Sequence, residues 1–306
     1  MRYLFVVLCI LFAGSLLGSG FAKIEVPTVA RINKIYFEDP FYGWAVTSAG
    51  EMLSTTDGGK TWKIKKVGAR GIADIVIKGR QGYLTGDRGL LMKSTDRGAT
   101  WQDLSLSMKF NFVGVGITSD SSIMVCGNDQ NSMSKTNGES FISWDYGKTW
   151  KKRGHLGNGY TDLVTQPPRR VYLLAAKKTF FAMDGGWYFW TGEYTGSRMG
   201  FGFDFLKDYG YLVGSKGLFS ATTDGGRNWT EVPLEITKNL YAVTMFDNAS
   251  GLAIGQDGLL LYFADSGKAH TVGDCGFKVD LRTICVTEDK IFLGGDNGTL
   301  LYRNRK

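Results

Sequence analysis

The sequence predicts an all-β chain: a seven-bladed β-propeller of four-stranded antiparallel blades, with the last blade closed by the N-terminal strand. Three observations carry that expectation. An eight-residue turn recurs along the chain, a Gly-bracketed apolar strand runs ahead of most copies, and 42 Gly against 5 Pro in 306 residues indicate many tight turns rather than a disordered polymer. With 43% hydrophobic residues, the chain can bury a large core.

The turn is Thr55-Thr56-Asp57-Gly58-Gly59-Lys60-Thr61-Trp62. It returns as Ser94 to Trp101 around Asp96, as Ser143 to Trp150 around Asp145, and as Thr222 to Trp229 around Asp224. In the shared form Ser/Thr-x-Asp-x-Gly-x-Thr/Asn-Trp, the carboxylate can accept bonds from turn N–H groups. The Gly supplies a positive φ, and the Trp closes over the hairpin. Asp57, Trp62, Asp96, Trp101, Asp145, Trp150, Asp224 and Trp229 are therefore read as structural residues.

Successive Asp markers lie 39 residues apart from 57 to 96, 49 from 96 to 145, and 79 from 145 to 224. The last gap is close to two steps. An eroded copy is expected there at Ala182-Met183-Asp184-Gly185-Gly186, with Phe189 in the Trp place, and a further step reaches Ala264-Asp265-Ser266-Gly267, with His270 in the Trp place. Periods of about 40 residues holding several short strands are the mark of propeller blades. In the first unit the predicted strands are Lys34–Phe37, Gly43–Thr47, Glu51–Thr55 and Trp62–Val67, with the turn joining the last two. The polar run from Asn128 to Ser140 absorbs the extra length of the 49-residue step, in the third unit, and reads as a solvated loop. The final unit, around Ile291–Gly295, lacks a last strand, and Ile24-Glu25-Val26-Pro27 is a spare strand that would supply it.

Residues 1–22 read as a signal peptide: Arg2, an apolar run from Leu4 to Leu17, and small residues before a cut after Ala22. Gly14, Ser15 and Gly18 interrupt the run and leave it short for a membrane span. The propeller domain is then 23–306, exported to the periplasm or a lumen-equivalent compartment, or secreted. Cys126, Cys275 and Cys285 remain once Cys9 leaves with the leader. Cys275 and Cys285 are the pair an oxidising compartment would allow to bridge, and Cys126 reads as a small apolar strand residue. The formal charge of +7 favours acidic partners or anionic surfaces. No nucleic-acid partner is expected, peripheral membrane contact is compatible with the charge, and the chain is expected to be a monomer.

The boxes resemble those of the Asp-box, or BNR-repeat, propellers, a group that includes sialidases and sortilin-type receptors. The whole chain after the leader most resembles the photosystem II stability/assembly factor propellers. Gly43-Trp44-Ala45-Val46, the Thr55–Trp62 box, the exported start and the scarcity of insertions carry that likeness. It implies a non-catalytic binding or assembly scaffold for a membrane or envelope protein. The alternative is a glycoside hydrolase of sialidase type or a carbohydrate-binding propeller. The sialidase-like members carry a Phe/Tyr-Arg-Ile-Pro segment, whereas the nearest match here, Ala30-Arg31-Ile32-Asn33, lacks the aromatic and the Pro. No residue is assigned a catalytic role. His155 and His270, the only histidines, come without metal-ligand spacing, so no metal or cofactor is expected.

In such a propeller, the turns between second and third strands share one face with the links between blades, and the boxes lie on the other. The first face should collect Arg88, Lys177 and Lys216 from turns, with Arg153, Arg198, Tyr160 and Tyr194 from links. These are the candidate anchors and apolar contacts for an acidic exposed segment of a protein partner. Ordinary solvated turn charge is the competing account. Asp257, Asp274 and Asp296 give the last two units the opposite sign.

Overall fold

The computed structural model describes residues 20–106, 109–119, 121–130, 138–155, 159–166, 170–175, 178–183, 188–193 and 198–305. Their strands form separate four-stranded antiparallel sheets arranged in a ring. Blade 1 shows the pattern. Its strands Ile32–Phe37, Gly43–Thr47, Glu51–Thr55 and Lys63–Lys66 run outward in chain order from the channel to the rim. Every second strand is continuously buried because both of its faces meet neighbouring blades, as in Gly43–Thr47 and Gly251–Gly255. That explains why these strands read as apolar runs rather than alternating ones.

The seven like blades expected from the repeat count require correction. Six blades, not seven, are complete in themselves, each built from four consecutive strands, and no sheet closes on itself. The remaining sheet is a seam made from both chain ends: Leu281–Val286, Lys290–Gly295, Leu300–Asn304 and a two-residue strand, Ala22–Lys23. The closing strand also lies earlier than Ile24–Val26. Ala22 pairs with Tyr302 and Lys23 with Leu301, and Ile24 adds a single main-chain bond, its N to Leu300 O at 2.8 Å. The reason is local. Val26 O is taken by Thr28 N in a tight turn, and Pro27 has no N–H to give to a ladder. Phe21, expected within the leader, is only 7% exposed and joins the core between blade 6 and the seam.

The core is divided among the interfaces. Trp44, Val46, Ile72 and Leu84 fill the gap between blades 1 and 2, and Tyr83, Leu91, Phe112 and Val125 fill the next. Each intact box sends its Trp into the interface behind its blade: Trp62 toward the seam, Trp101 toward blade 1, Trp150 toward blade 2 and Trp229 toward blade 4. The box itself is built as its residue types require. Asp57 Oδ1 accepts from Lys60 N and Thr61 N, both at 3.0 Å, and from Thr55 Oγ1 at 2.8 Å, while Oδ2 accepts from Thr61 Oγ1 at 2.6 Å. Asp96, Asp145 and Asp224 repeat the arrangement with Thr100, Thr149 and Asn228. The fifth box position needs a left-handed backbone, and the glycines there have φ of 77° at Gly59 and 85° at Gly98.

The predicted polar loop at 128–140 is shorter at both ends, because Asn128 and Asp129 finish one strand of blade 3 and Gly138–Ser140 begin the next. Residues 184–187, which hold most of the first eroded box, lie outside the described residues. Cys126, Cys275 and Cys285 are all free thiols.

Candidate binding site at the channel mouth

All the inner strands slip register near the start of their ladder, directly after the first paired residue in six of them and after the third in blade 3. The breaks fall between Ile32 and Lys34, Ile72 and Asp74, Phe112 and Gly114, and Tyr160 and Asp162. They recur between Gly200 and Gly202, Leu240 and Ala242, and Leu281 and Thr283. A bulge re-aims the extra residue. Here the extra residues Asn33, Ala73, Val113, Thr161, Phe201, Tyr241 and Arg282 all line one cavity of about 470 Å³ in the channel.

That ring of bulges is uneven. Phe201 and Tyr241 have ring centroids 5.7 Å apart, and the Arg282 guanidinium lies 4.1 Å over the Tyr241 ring. Three flat groups thus form a shelf on one side, facing the small Ala73 and Val113 on the other. Arg282 is held by Asp280 at 2.9 Å and Asp296 at 3.0 Å, and Tyr241 donates its hydroxyl to Asp280 Oδ2 at 3.2 Å. Asp296, expected among the acidic residues of the last two units, is the partner of this arginine.

Beneath the shelf, side chains staple each blade to the next. Asp74 accepts from Ile75 N at 2.8 Å and from Val115 N of blade 3 at 3.0 Å. Asp162 reaches Phe203 N of blade 5 at 3.3 Å, and Asp204 reaches Met245 N of blade 6 at 2.9 Å. Thr283 of the seam accepts from Ile35 N of blade 1 at 3.2 Å. Lys34 sits among these carboxylates, with its Nζ 3.7 Å from Asp74. Asp74 holds the Lys34 ammonium above its ordinary range against the opposing effect of burial. For Asp162, exclusion of water deep in the channel raises the carboxyl to about 6, and Lys34 limits the rise.

The mouth turns place some of the sequence-selected residues together and disperse others. Arg88 and Lys216 occupy equivalent positions in blades 2 and 5, with φ of 49° and 53° and exposed side chains. Their N–H groups donate to Asn111 Oδ1 at 2.9 Å and Asn239 Oδ1 at 3.0 Å. Arg198 is already engaged: it pairs with Glu231 and donates to Lys216 O at 3.2 Å. It braces the turn that carries Lys216, as Arg70 braces that of Arg88 through a 3.2 Å bond to Arg88 O.

Arg153 requires correction, since it lies on the outer strand Lys151–His155 rather than in a link, with its guanidinium 4.8 Å over the Trp144 ring. Tyr160 does too. It starts the inner strand of blade 4, is 1% exposed and exchanges main-chain bonds with the Asn128 side chain, so it is a core residue. Lys177 and Tyr194 lie outside the described residues. Arg31, exposed beside the cavity with its Nε 2.8 Å from Asn33 Oδ1, was missed, as were Phe201, Tyr241 and Arg282. A signal for the bulge ring was present. Steps of 40 residues carry Asn33 to Ala73, Ala73 to Val113, Thr161 to Phe201 and Phe201 to Tyr241. The boxes, whose spacing sets the period in the sequence, lead to the opposite face.

By class, then, this is a box-pinned propeller whose channel mouth presents exposed cations beside a stacked planar shelf. The chain belongs to the family described as photosynthesis system II assembly factor YCF48, whose model matches residues 15–191 and 195–272. It is 24% identical to the photosystem II assembly lipoprotein Ycf48 of Synechococcus sp. (strain CC9902), over 93% of this chain and 88% of that protein. It is 22% identical to the photosystem II stability/assembly factor HCF136 of Arabidopsis thaliana, over 74% and 73% of the two chains.

Among solved structures, YCF48 bound to a D1 peptide superposes with a TM-score of 0.76 at 20% identity, covering 93% of this chain and 94% of that one. YCF48 from Cyanidioschyzon merolae gives 0.77 at 17% identity, covering 93% and 98%. These likenesses establish the shared fold, and the family match agrees with the resemblance read from the boxes.

Proposed function

We propose that this chain is a non-catalytic assembly scaffold of photosystem II assembly-factor type, and that its channel mouth holds an acidic exposed segment of a membrane-protein subunit. The observation that carries the reading is the juxtaposition, around one opening, of exposed Arg31, Arg88 and Lys216 with the Phe201–Tyr241–Arg282 shelf. Cations of this kind attract carboxylates, and flat groups receive aromatic or amide faces. The relative solved with a D1 peptide supports a peptide occupant. The leader-like composition of residues 1–22 supports a site of work outside the cytoplasm.

The glycan-hydrolase alternative rests on Asp162, whose raised carboxyl lies inside the cavity. Both of its oxygens, however, accept main-chain bonds, from Leu163 and Phe203, and the box carboxylates are consumed by their own turns. A panel of fluorogenic glycosides should therefore show no turnover.

The positive test is fluorescence anisotropy with a labelled acidic D1 peptide. Arg88→Glu combined with Lys216→Glu should weaken binding at least about tenfold and flatten its salt dependence. Equal affinity of wild type and double variant would remove the mouth as the site.

A further inference from the structure

The box hairpins control how long each blade's outer edge can be. In the four blades with intact boxes, seven residues separate the third strand from the outer one, as from Thr55 to Lys63 and from Thr222 to Thr230. Their outer strands have 4, 2, 5 and 2 residues. In the two blades whose boxes are eroded, only four residues separate these strands, from Met183 to Tyr188 and from Ala264 to Ala269. Both then have outer strands of 6 residues. An exposed outer strand is a template for another chain, and proteins commonly blunt such edges by shortening them or adding Lys. Blade 1 carries Lys63, Lys65 and Lys66 on its edge, and blade 3 carries Lys151 and Lys152. The edge of blade 6, Ala269-His270-Thr271-Val272-Gly273-Asp274, has neither device.

One face of that edge is also uncovered. Val272 and His270 lie opposite Leu261 and Phe263, which pack toward blade 5. The outer strand of blade 5 is only Thr230–Glu231, too short to shield them. Val272 is 48% exposed, and His270 and Asp274 flank it on the same face, both exposed.

We infer that this edge is a homotypic docking surface: two copies of the chain pair antiparallel through Ala269–Asp274 about a two-fold axis at Val272. The occupant is fixed by self-complementarity. In that register Val272 meets its twin, and His270 faces Asp274 of the partner subunit, twice by symmetry. Directly opposed residues of an antiparallel pair bring their Cβ atoms to about 4.5–5.5 Å, close enough for the imidazole to donate to the carboxylate. The contact joins two four-stranded sheets across one strand pair. Its small area makes the association weak and concentration-dependent.

The test is sedimentation velocity of the full chain from about 10 µM to about 1 mM, a range that brackets weak association. Wild type should sediment faster as concentration rises. Val272→Lys sets like charges on the axis at an exposed site and should weaken association at least about tenfold. His270→Asp alone and Asp274→Lys alone each oppose like or mismatched groups and should remain monomeric. Mixed together, they should associate, because each supplies the charge the other lacks. Thermal melts verify that every variant is folded, which matters most for Asp274→Lys, since Asp274 also accepts from Gly276 N at 2.8 Å. A wild type that stays monomeric throughout, a Val272→Lys variant that associates as tightly as wild type, or a mixture no tighter than its components would overturn the inference.

Discussion

Two sets of aspartates hold this propeller together, and they do so under opposite electrostatic conditions. On the box face, Asp57 lies in a turn open to water, and bonds from the Thr61 side chain and main chain lower it to about 2. Asp96 is likewise brought to about 2, first by the Thr100 hydroxyl. In the channel, Asp162 and Asp204 perform comparable stapling with main-chain N–H groups, yet the loss of surrounding water pushes both upward, Asp162 to about 6. The same residue type is thus favoured as an anion at the rim and strained as one at the centre. The rim carboxylates pin local hairpins, whereas the central ones tie together strands that are distant in sequence.

If that contrast holds, the largest effect should come from a central staple. Asp74→Ala removes the acceptor of Val115 N and the counter-charge of Lys34 together, and should cost about 2–4 kcal/mol in urea unfolding. Asp74→Asn, which keeps an acceptor, should recover part of it. The rim change Asp57→Ala should cost less, about 1–2 kcal/mol, because water can replace the lost bonds in an open turn. A rim loss exceeding the central one would invert the comparison.

The smallest effect is the one with the clearest sign. A carboxyl lowered in the fold contributes stability above its unfolded value of 3.8, lost as pH falls through about 2. A carboxyl raised in the fold favours folding below 3.8 and loses that contribution as pH rises through about 6. Urea midpoints measured from pH 3 to pH 7 should therefore carry an opposing contribution from Asp162 between about 4 and 6. Asp162→Asn should remove it, gaining on wild type as pH rises through that window, and identical pH profiles would sink the assignment.

The rim was legible in the sequence and the centre was not, for a physical reason. A box is a turn, so its Asp, Gly and Trp must be written within eight consecutive residues, as in Thr55–Trp62. The strands flanking it followed almost to the residue: Gly43–Thr47 and Glu51–Thr55 form as expected, and the outer strand starts one residue later, at Lys63. The channel positions are different. Lys34, Asp74, Gly114, Asp162, Gly202, Ala242 and Thr283 share one structural place, the residue after each bulge, but not one chemistry. A ring needs complementary groups from neighbouring blades, so no single residue type fills all seven places. Arg88 and Lys216 could be found from their Gly-flanked turns, whereas Tyr160 and Arg153 were displaced because link and strand ends cannot be counted from box positions alone.

The seam has a consequence for how the ring is made. Ala22 finds its ladder partner only at Tyr302, so nearly the entire polypeptide must be present before the clasp can fasten. Contacts so distant along the chain form slowly. Until they do, Leu300–Asn304 is a bare margin ready to anneal to any extended segment nearby. Biogenesis of this scaffold therefore passes through an interval in which it is itself the unassembled part.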